Sequence, residues 1–295
     1  MHLGIDLGGT KTEIIALDSD NAQELFRRRV PSPQDDYAAT LDMIVELVEQ
    51  AEHSTGKAGS VGIGIPGTIS GVTGTVKNAN SRWLNGQRLD RDLAQRLGRE
   101  VRVENDANCF AVAEAADGAA KGYRVVFGVI IGTGCGAGIV IDGKPLSGRN
   151  GIGGEWGHNP LPYPAIVPAE RNALYTHFDG DHAAEDLVSH IYGDKARPAY
   201  FADELIYAEY PGPHCYCGRR GCLETWISGP ALAADYARVT GRTKDTPEIV
   251  RDAGKGDEEC EAALMRYCDR LARGLASIVN VIDPDIIVLG GGMGN

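Results

Sequence analysis

Residues 2–17 read HLGIDLGGTKTEIIAL, and residues 125–141 read VVFGVIIGTGCGAGIVI. Each is an apolar, β-prone run, a tip of glycine and threonine, and a second apolar run. The pattern predicts two β-hairpins whose glycine-rich tips fall at 8–12 and 132–136. A strand-to-glycine end at 62–67 is echoed at 286–292. The repetition lies in layout rather than in letters. It implies two halves built to one plan, with a cleft between them.

Working outward, residues 24–30 read as a third strand, stopped by Pro31 and Pro33. Asp35 is placed to cap a helix over 36–53, with Tyr37, Leu41, Ile44, Val48 and Ala51 on one face. Further strands are expected at 61–65, 101–103 and 286–289, and helices at 90–97 and 107–116. A long helix at 261–282 carries Leu264, Leu271, Leu275, Ile278 and Ile282 at helical spacing and is stopped by Asp283-Pro284. Alternating strands and helices make an α/β protein. Residues 68–90 read as loop or short strands. Residues 164–213 differ from the rest: they hold His177, His182, His190 and a concentration of tyrosines (Tyr175, Tyr192, Tyr200, Tyr207, Tyr210), with helical spacing near 183–191. This segment reads as either an ordered insertion or a flexible flap, and its histidines beside Asp179 and Asp181 as a solvated loop rather than a metal site.

Glycine makes up 39 of the 295 residues, about twice the roughly 7% of average proteins. No every-third-residue period accompanies it, which excludes collagen. The formal net charge of −12 gives no general attraction to nucleic acid or to anionic membranes. No run reaches the roughly 18 apolar residues of a membrane span, and no secretory leader pattern opens the chain. The reading is a cytoplasmic protein with neither nucleic acid nor membrane as partner. Seven cysteines are present. Cys109, Cys135, Cys260 and Cys268 are scattered and read as buried thiols. Cys215, Cys217 and Cys222 cluster, which in a cytosolic chain points to metal before disulfide.

The tip Gly8-Gly9-Thr10-Lys11-Thr12 is not a P-loop, because the spacing to the lysine is wrong and a strand, not a helix, follows. Gly62, Gly64 and Gly67 match a dinucleotide fingerprint by letter only, since no helix pattern follows. A hairpin tip can still hold phosphate: glycines bring backbone N–H groups close, and Thr10 and Thr12 add hydroxyls. Asp6, just before the tip, is placed to hold a hydrated Mg²⁺. Asn105-Asp106 joins a strand end to a helix. A carboxylate there can act as general base on a hydroxyl; taken alone, it reads as a helix N-cap. Cys215-x-Cys217-Gly-x-x-Gly-Cys222 is a tight knuckle of three thiolates suited to a tetrahedral ion. It needs a fourth ligand, either His158 of Gly-Glu-Trp-Gly-His or the adjacent His214.

Together, these motifs resemble the ROK family of sugar kinases and repressors, within the actin-like/hexokinase (ribonuclease H-like) ATPase superfamily. Asp6-Leu7-Gly8-Gly9-Thr10-Lys11 resembles the first phosphate motif, and Gly132-Thr133-Gly134-Cys135-Gly136 the second. Leu289-Gly290-Gly291-Gly292 resembles the adenosine-side motif. Glu155-x-x-His158 and Cys215-x-Cys217-Gly-x-x-Gly-Cys222-x-Glu224 resemble the sugar-and-zinc signature. The resemblance implies a two-domain fold with a central cleft, the smaller domain at 1–118 and the larger, with zinc knuckle and insertion, at 119–295. It implies ATP, Mg²⁺ and a structural Zn²⁺ on His158, Cys215, Cys217 and Cys222. Asp106 becomes the base on the attacking sugar hydroxyl, and Gly67, Asn80, Asn105, Glu155, His158 and Glu224 the hexose ligands. The local stretches KNANSRWLNGQ and CYCGRRGCLETWISG are most similar to bacterial fructokinases. N-acetylglucosamine kinase is the nearest alternative, followed by glucokinase or mannokinase. A homodimer is the family expectation.

Two departures qualify the resemblance. The interval from His158 to Cys215 is longer than the family commonly shows, and the chain ends at Asn295, before the family's usual C-terminal helical segment. A rival of another class is a sugar-binding regulator or an inactive paralogue. Against a DNA-binding repressor, the phosphate motif begins at Asp6 with no room ahead for a helix-turn-helix, and the charge is unfavourable.

Overall fold

The computed structural model describes residues 1–165 and 208–294. The histidines and most of the tyrosines of the expected insertion, and the helical spacing near 183–191, lie outside the described residues.

Strands β1 (His2–Leu7) and β2 (Lys11–Leu17) pair antiparallel around the first glycine tip, with Leu7 opposite Thr12. β3 (Glu24–Pro31) extends β2, while β4 (Ser60–Ile65) and β7 (Val101–Asn105) run parallel to β1. The resulting five-stranded order is β3-β2-β1-β4-β7. Alternation puts Leu3, Ile5, Leu7, Ile14, Val61, Ile63 and Ile65 on one buried face. Helix α1 (Tyr37–Thr55) covers it with Leu41, Ile44, Leu47, Val48 and Ala51. Its cap is Asp36, whose carboxylate accepts from Ala39 N at 2.9 Å, and not Asp35, which lies in the left-handed region at φ 55°. The short hairpin β5 (Thr68–Ile69) and β6 (Val76–Lys77) fills the glycine- and threonine-rich stretch. Helix α2 (Leu89–Leu97) precedes β7, and α3 (Asp106–Ala116) follows it directly.

A second sheet, β10-β9-β8-β11, is built on the other glycine hairpin: β8 (Val125–Ile131), β9 (Cys135–Ile141), β10 (Lys144–Pro145) and β11 (Ile286–Gly290). The chain divides into two compact units. One comprises Met1–Val129, Ala137–Glu155 and Pro284–Val288; the other comprises Ile130–Gly136, Trp156–Asp283 and Leu289–Asn295. The division cuts the β8–β9 hairpin part-way up. The hairpin base groups with the first unit because α3 packs on it without side chains between: a Cβ on Gly128 would lie 2.8 Å from that of Ala111, and one on Gly138 2.6 Å from the Ala107 carbonyl oxygen.

In the second unit, helices α4 (Glu224–Ile227), α5 (Gly229–Thr240) and α6 (Thr246–Ala253) pack with the long α7 (Glu258–Ile282). The buried stripe of α7 is Cys260, Ala263, Tyr267, Arg270 and Gly274; the expected leucine stripe is only half-buried. Two features displace it. Gly274 allows close approach, with Leu223 and Trp156 within 3.1 Å of where its Cβ would be. Arg270 is 2% exposed because Glu209 and Asp235 neutralise it. Of the scattered cysteines, Cys135 and Cys260 are buried as expected, but Cys109 and Cys268 are exposed.

Candidate active site

In the first unit, three parallel strands end side by side, where open α/β sheets bind ligands. Asp6 closes β1 opposite Gly64 of β4, and Gly64 in turn pairs with Glu104 of β7. With no side chain at Gly64, the Asp106 Cα comes to 3.8 Å of its Cβ position. Asn105 is the N-cap of α3: its Oδ1 accepts from Ala107 N and Asn108 N, and its Nδ2 donates to the Gly67 carbonyl at 3.2 Å. Asp106 is thereby the first helical residue, and its Oδ1 accepts from Ala107 N at 2.8 Å. It stays reachable by solvent, yet its carboxyl is pushed up from the ordinary carboxylate range. Burial is the main cause, and the charges of Asp6 and Glu155 add to it against the Ala107 hydrogen bond. Asp6 is pushed up likewise, by burial and then by Glu13, with Arg29 opposing. Crowded carboxylates of this kind favour a nearby cation and a general base of raised pKa.

The first tip is held tightly. Gly8 N donates to Lys11 O at 3.1 Å, and a Cβ on Gly8 would lie 2.7 Å from that oxygen. Gly9 stands against Ser81. Thr10 and Lys11 are exposed, but Thr12 is fully buried and its hydroxyl is 2.8 Å from that of Ser32. Pairing in the β1–β2 ladder turns Thr12 inward, where its hydroxyl meets that of Ser32. Gly67 and Asn80 are brought together. Asn80 N donates to Pro66 O at 3.3 Å, and a Cβ on Gly67 would meet Ala79 at 2.9 Å.

In the second unit, the tip at 132–136 lies where three segments converge. Gly132 O accepts from Gly229 N at 2.8 Å, at the start of α5. Met293 N donates to Ile131 O at 3.0 Å. Gly291, at φ 84°, folds over Ile131, whose carbonyl oxygen would be 2.4 Å from a Cβ there; only glycine fits this turn. Gly290 ends β11 and Gly292 continues the fold-over. Glu224 opens α4, and its Oε2 accepts from Cys135 N at 3.1 Å.

His158, Cys215, Cys217 and Cys222 place four ligand atoms within 4.8 Å of one another. His214 is not in this cluster; it forms a bridge with Arg220. Zinc lies ~2.3 Å from thiolate sulfur and ~2.0–2.1 Å from imidazole nitrogen, so tetrahedral edges are about 3.8 Å (S···S) and about 3.6 Å (N···S). The chain has 3.6 Å between Cys217 Sγ and Cys222 Sγ, and 3.5 Å between Cys215 Sγ and His158 Nδ1. The donor set and spacing fit the ion. His158 Nε2 lies 3.0 Å from the Tyr216 hydroxyl. That contact fixes the imidazole with Nδ1 toward the thiols, the usual outer-shell arrangement of a ligating histidine. Tyr216 is a residue the sequence reading missed; its only signal is its position between two cysteines. Glu104 is another: it binds Asn105 N, Asn108 Nδ2 and Ser147 Oγ, and so braces the Asn105-Asp106 corner.

The ROK family model matches residues 2–295. The N-acetyl-D-glucosamine kinase of Escherichia coli O139:H28 is 38% identical over 295 residues, spanning 100% of this chain and 85% of the relative. Among solved structures, the ROK hexokinase of Thermus thermophilus aligns with a TM-score of 0.73 at 30% identity, over 99% of this chain and 81% of that one. A ROK family glucokinase from Streptomyces griseus, solved in complex with glucose and AMPPNP, gives 0.68 at 26% identity, over 99% and 83%.

Proposed function

The chain belongs to the ROK family and is a sugar kinase with the ROK hexokinase-like α/β fold, and from that premise we propose that it transfers the γ-phosphoryl group of ATP to the 6-hydroxyl of a hexose. One observation carries the reading: Asp106 sits at the end of β7 with its carboxyl raised by burial and by Asp6 and Glu155. The Asp106 carboxylate takes the proton of the attacking hydroxyl as its oxygen bonds to the γ-phosphorus and ADP leaves. Such base catalysis contributes about 10²–10⁴-fold. The sugar ligands of this reading are Asn105, Gly67, Asn80, Glu155, His158 and Glu224. Asn105 has one N–H left after capping and after binding Gly67, enough to donate to a sugar hydroxyl. The tips at 8–12 and 132–136 and the glycines 290–292 hold the nucleotide, with Thr12 bracing the first tip from inside. Asp6 would hold Mg²⁺ through water, and the ion supplies charge neutralisation on the phosphates. Zinc on His158, Cys215, Cys217 and Cys222 would be structural, fixing the His158 ring beside the sugar.

For the sugar, we place N-acetyl-D-glucosamine first, supported by the name and 38% identity of the relative above. Fructose, the sequence expectation, stands second, with glucose and mannose behind it. A cytoplasmic homodimer is the assembly we propose. Among the described residues, no helix is long and apolar enough to cross a membrane. The test is ADP release with Mg²⁺-ATP and each of the four sugars, compared as kcat/KM because specificity is differential transition-state binding. Turnover with at least one sugar, lost in Asp106→Asn with the fold kept, is expected. No ADP with any of the four refutes the kinase reading and leaves a sugar-binding regulator or inactive paralogue.

A further inference from the structure

Glu224 lies against the second glycine tip. Its carboxylate accepts the backbone N–H of Cys135 at 3.1 Å, at the point where the second glycine tip becomes β9. A Cβ on Gly134 would sit 2.8 Å from the same Oε2, so the carboxylate lies directly against the tip backbone. The tip itself is pinned. Gly132 N donates to Gly134 O at 2.9 Å, Gly229 N to Gly132 O at 2.8 Å, and the Cys135 carbonyl lies 2.1 Å from where a Gly157 Cβ would be. Glu224 and Thr133 of the tip also line one cavity of about 240 Å³, shared with Tyr216 and Ser228.

Backbone N–H groups at a glycine tip serve as donors to anionic oxygens. In this structure the Cys135 N–H, a donor of that kind, is already taken by a carboxylate oxygen. One N–H cannot serve two anions, and two anionic oxygens there repel each other. Resting on the kinase reading, in which Glu224 also holds a sugar hydroxyl, we propose that Glu224 is an exchange element between the two substrates. With no sugar bound, its carboxylate occupies the Cys135 N–H and keeps phosphate off the tip. Sugar hydroxyls compete for the carboxylate, draw it off the amide, and leave that donor to the nucleotide. Linkage makes the effect reciprocal: the sugar tightens nucleotide binding by the factor with which nucleotide tightens sugar binding. ATP alone is then bound weakly, which limits its hydrolysis by water.

The experiment titrates Mg²⁺-AMPPNP by calorimetry, with no sugar and with saturating sugar, the sugar being whichever of the four gives turnover. The wild-type chain binds AMPPNP at least 5-fold tighter with sugar, within the ~5–150-fold span of such couplings. Glu224→Gln removes the charge; AMPPNP without sugar then binds more tightly than to wild type, and the sugar effect falls below about 2-fold. Glu155→Gln, which alters the other carboxylate among the sugar ligands of this reading, weakens sugar but retains the wild-type coupling. Should Glu224→Gln not fold, amide exchange on the wild-type chain decides: sugar alone accelerates exchange at Cys135, and unchanged or slower exchange there overturns the proposal. Wild-type coupling in Glu224→Gln, or turnover in a wild-type chain that shows no coupling, overturns the exchange element and leaves the kinase reading standing. Absence of both ADP formation and AMPPNP binding overturns both.

Discussion

Arg270→Ala would remove the hub of the second unit's core. The Arg270 side chain is 2% exposed; its Nε is 2.7 Å from Glu209 Oε1, its Nη1 is 3.0 Å from Asp235 Oδ1, and its guanidinium lies 4.5 Å from the centre of the Trp226 ring. Breaking a buried pair by deleting one partner costs about 3–5 kcal/mol, and a desolvated cation–π contact adds up to about 2 kcal/mol. Neither carboxylate is left bare. Asp235 keeps Arg266 at 2.8 Å and Arg238 at 2.6 Å, and Glu209 keeps Arg273 at 2.9 Å. The loss therefore falls near the bottom of the summed range, about 3 kcal/mol. Urea unfolding followed by tryptophan fluorescence in a Trp83→Phe background reads this unit, because Trp156 and Trp226 belong to it and Trp83 to the other. The pH dependence is a second check. Burial alone would raise Glu209 and Asp235, but the arginines outweigh it and hold both below the ordinary range. A depressed folded pKa gives stability that is present above the unfolded values of about 3.9–4.3 and lost as pH falls through the folded ones. The difference between wild type and Arg270→Ala should be full at pH 7 and shrink below about pH 4. A loss under about 1 kcal/mol at pH 7, or a difference that does not change with acid, would refute the hub.

Three further outcomes are expected. The acid limb of kcat/KM should lie above the ordinary carboxylate pKa of about 3.9, since Asp106 must be ionised to act and its pKa is raised; a limb at or below that value counts against Asp106 as base. Metal analysis of intact protein should give about one zinc per chain, and Cys222→Ser should lose it together with local folding worth on the order of 10 kcal/mol; stoichiometric zinc in Cys222→Ser would discard the four-ligand site. Gly291→Ala should cost about 1–3 kcal/mol in strain and weaken AMPPNP more than sugar, because its methyl is aimed at the Ile131 carbonyl; equal losses for both ligands would detach this turn from the nucleotide.

Both glycine hairpins, the strands at 61–65 and 101–103 and the α1 face could be read directly from the sequence, because period and punctuation encode them locally. The buried face of α7 could not. Its centre is Arg270, which a hydrophobic pattern scores as surface, and which is buried only because Glu209 and Asp235 arrive from elsewhere in the chain. The capping residue of α1 was missed by one place, since Asp35 and Asp36 look alike until φ separates them. Thr12 shows the same limit at the site. Its residue type suits a phosphate, but ladder register decides which face it takes, and Ser32 holds it inward. Tyr216 and Glu104 act on site residues through contacts that no spacing rule encodes.

The long interval between His158 and Cys215 bears on zinc less than its length suggests. The two residues are 57 positions apart, and closing a flexible loop costs more as it lengthens, though only logarithmically. Here the closure is made by protein contacts. Leu161 N donates to Gly221 O at 2.9 Å, Leu223 N to Asn159 O at 2.8 Å, and Pro160 bridges Cys222, so the strand next to His158 is laid against the knuckle. Further out, Glu209 N donates to Ala165 O at 2.8 Å and Ala165 N to Glu209 Oε2 at 2.9 Å, while Arg270 and Arg273 grip the Glu209 carboxylate from α7. The proposed ligands are thus brought together by a stem that ends at Ala165 and Glu209. Excising residues 166–207 and joining the ends with two glycines should leave one zinc per chain and an unchanged fold around Trp156 and Trp226. A folded excision variant that no longer holds zinc would show that the stem does not carry the closure.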